Sequence, residues 1–148
     1  LSALPEAKIV NLVRQPEAVC WSNFSLYFGA AGMAFNRDMG TLGRYYNRYL
    51  DLMRFWREKY PGQFYDLHYE RLTENQEEET RKLYEFLELD WQDAALDFHK
   101  NTRRVATAST LQVRNKMYKG SSQKWEQYKP WLTPLLDVLH QDQGEKTA

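Results

Sequence analysis

The spacing of apolar positions changes several times along this 148-residue chain, and each change marks an element. Ile9 to Val13 is a short run rich in β-branched and apolar residues, which predicts a strand buried on both faces, as in a parallel sheet. Pro16 suits the first position of a helix and Glu17 its positive end. Apolar residues then continue to Phe28, before Gly29 and Gly32 break the pattern. From Leu42 the set Tyr45, Tyr46, Tyr49, Leu52, Met53 and Trp56 recurs at helical spacing until Pro61-Gly62, a stripe that reads as core packing. Phe64 to Tyr69 predicts a second short strand. Asn75 to Leu87 predicts an acidic helix with Leu83, Phe86 and Leu87 on its inner edge. Ala94 to Phe98 reads as one more short helix, residues 101–123 as a long loop, and Trp131 to Leu139 as a final helix. Strand, helix, helix, strand, helix is an α/β order.

This order leaves two gaps. Two short strands do not make a stable sheet. A structureless loop of some twenty residues is unexpected in a compact domain unless it has a function. The expectation is that residues 1–140 are the C-terminal portion of a domain whose other strands precede Leu1, and that residues 141–148 are a polar tail. Such a portion is expected to need either the missing N-terminal half or self-association.

Composition sharpens the picture at one place. The formal net charge is zero, yet residues 62–99 carry eleven acids against Arg71, Arg81 and Lys82. Residues 100–130 carry eight cations against Glu126 alone. Such a local field suits a small anionic ligand, although a solvated basic surface has the same composition. Cys20 is the one cysteine, so an internal disulfide is excluded. His68, His99 and His140 lack metal-ligand spacing and read as structural. The Asn23-Phe24-Ser25 sequon lies inside a predicted half-buried helix and is discounted. No stretch approaches the ~20 apolar residues of a membrane span, and a cytoplasmic location is expected.

The candidate chemistry begins at the first strand's carboxyl end, where open parallel sheets bind ligands. Arg14 sits there, and Ser22 lies about two turns into the helix that Pro16 starts. Together they could offer a charged fork and a hydroxyl to one phosphate. The residues alone equally allow an arginine that caps the sheet edge and a serine that bonds its own helix backbone.

Three ordered motifs carry a family resemblance. Arg14-Gln15-Pro16 with Ser22 resembles the 3′-phosphate-binding signature of sulfotransferases that use PAPS (3′-phosphoadenosine 5′-phosphosulfate). "HYERL", His68 to Leu72, resembles the family's strand-ending Tyr-Glu-Asp-Leu or -Met. "YKGSSQKW", Tyr118 to Trp125, is similar to its late Lys-Gly-…-Trp segment. "LGRYYNRYLDLMRFW" and "TASTLQVRNKMY" look most like bacterial tetratricopeptide-associated sulfotransferases, relatives of the tyrosylprotein enzymes. The resemblance runs from about Pro5 to Leu139.

It implies a P-loop-like sulfotransferase fold and transfer of a sulfuryl group from PAPS to a hydroxyl or amine acceptor, leaving 3′,5′-ADP. It also implies 3′-phosphate contacts from Arg14, Ser22, Lys119, Gly120, Ser121 and Arg114, and an adenine contact from Tyr69. No nucleic acid and no metal is implied. The sequence departs from the family pattern at Gln15, Tyr118 and Gln123. It also shows no glycine-rich phosphosulfate loop: "GTLGR", Gly40 to Arg44, lacks the following Lys-Ser/Thr. The catalytic groups are therefore expected upstream of Leu1, with this chain inactive alone. The competing expectation is a non-catalytic nucleotide-binding or helical interaction module.

Overall fold

The computed structural model describes residue 1 and residues 3–26, 34–100 and 119–145. Among these, the chain forms two compact units. The first comprises Leu1–Ala7, Arg14–Phe64 and Gly120–Ala148, and the second Lys8–Val13 and Tyr65–Lys119.

The first unit is helical. Helix α1, Pro16–Ser25, starts where the sequence requires. A residue before proline is kept out of the helical region, and Gln15 is accordingly extended, at φ −46° and ψ 125°. Pro16 then enters with its φ already set, and Glu17 faces the helix's positive end. A 3-10 turn, Ala34–Arg37, precedes α2, Met39–Lys59. Asp38 caps α2 by accepting the Thr41 backbone N–H at 2.7 Å. The two hydrogen bonds from Thr41 hold the Asp38 carboxyl below its ordinary pKa. The helix ends at Lys59, just before Pro61-Gly62, where Gly62 takes a φ of 78°. A further 3-10 turn, Glu126–Trp131, leads into α5, Thr133–Glu145, which runs on through part of the expected polar tail.

The most extensive helix contact is between α2 and α5. Cys20 of α1, Leu42 and Tyr46 of α2, and Leu135 and Leu139 of α5 form one buried cluster. Ala18, Trp125 and Leu132 form a second. Gly43 permits the close approach: a Cβ there would lie 3.0 Å from Val138 Cγ1. One turn on, Asn47 is buried and donates from Nδ2 to the Val138 carbonyl at 2.9 Å. The aromatic stripe of α2 divides in two. Leu42, Tyr46 and Tyr49 share the core face, whereas Tyr45 and Leu52, seven residues apart, lie together along its flank and are about half exposed. Tyr45 instead stacks on Phe35 with ring centroids 4.1 Å apart.

The second unit contains the sheet, apart from Phe64. β1, Ile9–Val13, and β2, Phe64–His68, pair in parallel as its two strands, with Asn11 Nδ2 donating to Asp66 Oδ1 at 2.8 Å. The expectation of a β1 buried on both faces is not met. Val10 and Leu12 alternate outward, Leu12 being 57% exposed, because no described element covers that face. The expected strand through Tyr69 stops at His68, and Tyr69 instead opens a short helix that the sequence pattern did not predict, α3, Tyr69–Glu74. α4, Gln76–Leu87, follows its acidic prediction, with Glu77–Arg81 and Glu78–Lys82 pairs one turn apart. It ends in a left-handed Glu88 at φ 57°. Lys8 holds that corner by donating to the Phe86 carbonyl and pairing with Glu88, each at 2.7 Å. The predicted short helix at Ala94–Phe98 is a kinked 3-10 segment, Asp93–Lys100.

Candidate functional site

Arg14 follows the last residue of β1 and precedes the extended Gln15. Its side chain meets the segment after Gly120. Nε donates to Ser122 Oγ at 3.0 Å, and Nη2 donates to the Ser121 carbonyl at 2.8 Å. The chain separation between the first pair is 108 residues, so the contact belongs to tertiary structure and not to a local turn.

The local backbone explains how the segment presents these acceptors. Gly120 adopts a φ of 84°, a conformation that strains any side chain, while a Cβ there would meet nothing closer than 3.8 Å. Conformation and not space therefore calls for glycine. Ser121–Gln123 then forms a 3-10 turn, closed by the Gln123 N–H on the Gly120 carbonyl. Ser122 and Trp125 are three apart on near-helical backbone and point to the same side, both buried. Trp125 packs with Ala18 of α1 and Leu132, and Trp21 stacks on Tyr128 at 4.2 Å. The tryptophan of the late motif is thus the anchor that seats the turn against α1. Its indole Nε1 is buried without a hydrogen-bond acceptor among the described residues.

The predicted residues are distributed unevenly. Arg14 and Ser121 are brought into contact, through the serine's carbonyl. Gly120 sets the turn that holds Ser121. Ser22 lies on the exposed face of α1, the helix that packs against this turn, and its carbonyl accepts the Ser25 hydroxyl at 3.3 Å. Lys119 is exposed and directly precedes Gly120 in the chain. Tyr69 is half-buried at the start of α3 in the second unit. Arg114 and Tyr118 lie outside the described residues.

Ser122 was not among the predicted residues. Two adjacent serines in "GSSQ" give no sign of which hydroxyl turns inward. The available signal was the three-residue spacing to Trp125, an apolar anchor that must be buried. His140, read as structural, stands 3.0 Å from Glu17 Oε1, joining α5 to the first turn of α1. Cys20 is fully buried next on that helix. Burial first and the Glu17 charge second push its thiol pKa to about 12, so the sulfur is no nucleophile at neutral pH.

Known proteins give the chain a family. The model of the sulfotransferase family matches residues 1–93. An uncharacterized protein of Aquifex aeolicus (strain VF5) is 40% identical over 143 residues, which is 95% of this chain and 19% of that protein. The chain therefore spans about a fifth of the length of that relative. No described helix is long and apolar enough to cross a membrane. With its strand-end arginine, its helix-opening proline and most of its length inside the matched region, the chain belongs to the sulfotransferase family.

Proposed function

We propose that this chain supplies the 3′-phosphoadenosine-recognising part of a PAPS-dependent sulfotransferase with a P-loop-like fold. The acceptor in this reading carries a hydroxyl or an amine. The observation that supports it is the contact between Arg14 and the Ser121–Ser122 turn, which unites the first and last of the three motifs. A 3′-phosphate asks for positive charge and N–H donors. Arginine offers a planar fork of five donors, and the turn after Gly120 adds backbone N–H groups near the exposed Lys119. Ser22 contributes its hydroxyl from α1, Tyr69 lines the base, and Arg114 adds a further cation in the same proposal. PAPS, when bound, brings the sulfuryl group, and these residues hold the nucleotide end of it.

Calorimetry with 3′,5′-ADP and 5′-AMP tests the reading, since the two differ by the 3′-phosphate alone. One charge-assisted arginine contact is worth about 1.5–3 kcal/mol, or roughly ten- to a hundredfold in affinity. A preference of that size for 3′,5′-ADP supports it, and equal affinity overturns it. Transfer of labelled sulfate from PAPS by the whole protein, above an Arg14→Ala control, tests the catalytic half. Nucleotide preference without any transfer would leave the chain as a binding module.

A further inference from the structure

We propose that Ser122 is a positioning residue: its buried hydroxyl orients the Arg14 guanidinium for the 3′-phosphate. The proposal rests on the nucleotide reading given above and adds to it a residue that the family signature did not indicate.

Ser122 is 2% exposed, so its hydroxyl is screened from bulk water. Its Oγ accepts from Arg14 Nε at 3.0 Å, while the neighbouring Ser121 carbonyl accepts from Nη2 at 2.8 Å. These two acceptors engage adjacent donors along one edge of a planar group. Two such bonds fix both the direction of the fork and the tilt of its plane, whereas one would leave rotation about the bond. The acceptors are held in their turn. Gly120 sets the backbone at a positive φ, the Gln123 N–H closes the turn, and Trp125 seats it against Ala18. Arg14 is held at its own base by the Gln15–Pro16 step into α1. The entry to α1 and the turn after Gly120 thus meet at one hydroxyl. A misaligned guanidinium keeps its charge but loses the aligned geometry on which a short charge-assisted bond depends.

The test measures the affinities of the whole protein for 3′,5′-ADP and 5′-AMP, in the wild type, Ser122→Ala and Ser122→Thr. The ratio of the two affinities reads the 3′-phosphate contact, and the 5′-AMP value reports on the fold and the rest of the site. The expected result is a preference for 3′,5′-ADP that falls about five- to tenfold in Ser122→Ala, with 5′-AMP affinity kept. Ser122→Thr, which retains the hydroxyl, restores the preference. A ratio unchanged in Ser122→Ala overturns the positioning role while leaving the nucleotide reading intact. So does an equal loss of both nucleotides, which marks a merely structural serine. A wild-type protein without preference overturns the nucleotide reading and this inference with it.

Discussion

Arg14 holds Ser121 by the serine's carbonyl, at 2.8 Å from Nη2. The bond therefore survives loss of the Ser121 hydroxyl but not loss of the guanidinium. Ser121→Ala should change 3′,5′-ADP affinity by less than about threefold, whereas Arg14→Ala should lower it about ten- to a hundredfold. Arg14→Lys should resemble Arg14→Ala, because an ammonium cannot span two acceptors with a flat fork. Titration of the three variants with 3′,5′-ADP checks the order. A Ser121→Ala loss as large as that of Arg14→Ala would contradict it.

Tyr69 gives a contrasting expectation. Adenine is common to 3′,5′-ADP and 5′-AMP, so a residue that lines the base must affect both alike. Tyr69→Ala should weaken each by about 1–2 kcal/mol, the scale of an aromatic contact beyond burial, and leave their ratio unchanged. Lowered thermal stability with intact nucleotide affinity would make Tyr69 a packing residue of the second unit.

The contact of α2 with α5 sets a stability prediction. A methyl at Gly43 would fall 3.0 Å from Val138 Cγ1 and 3.1 Å from its Cβ, with Leu135 Cδ1 at 3.5 Å. Overpacking costs typically about 1–3 kcal/mol, against a gain of about 1 kcal/mol from alanine's helix propensity. Gly43→Ala should therefore be destabilising on balance. Gly40→Ala meets only the flexible Arg44 Nη1 within 3.4 Å and should be neutral or mildly stabilising. Urea midpoints of the two variants should move in opposite directions or differ clearly. A stabilised Gly43→Ala would refute this packing.

Cys20 predicts a pH dependence whose sign is fixed. The unfolded thiol titrates near its ordinary 9.0, and the folded one near 12. The folded state prefers the neutral thiol, so its contribution is complete below pH 9 and is lost as pH rises from 9 towards 12. Wild-type stability should fall more steeply over that window than that of Cys20→Ala. Thiol reagents at pH 7–8 should label Cys20 only on unfolding. Rapid labelling of the folded protein would contradict the burial.

Much of the fold could be read from the sequence because its punctuation is strong. Pro16, Pro61-Gly62 and the acidic run before Leu83 fixed three element ends to within a few residues. What could not be read depended on partners distant in sequence. An apolar run does not disclose whether one face or two will be covered, so the outward Val10 and Leu12 were missed. α3 opens on the residue after β2, and six residues are too few to show a helical period. At the candidate site, Arg14 was legible because a charge at a strand tip demands a partner. The inward turn of Ser122 was not, since it depends on Trp125 being buried by Ala18 and Leu132.

The 108 residues between Arg14 and Ser122 also carry a consequence for biosynthesis. At roughly 5–20 residues per second, a ribosome delivers Ser122 on the order of 5–20 s after Arg14. Throughout that interval α1 is already made, but Trp125 and α5, which cover its Ala18 and Cys20, are not. The guanidinium gains these two acceptors only once the turn after Gly120 has been made. A nascent chain interrupted before Ser122 thus carries the Arg14 charge without the Ser122 hydroxyl and Ser121 carbonyl that aim the fork.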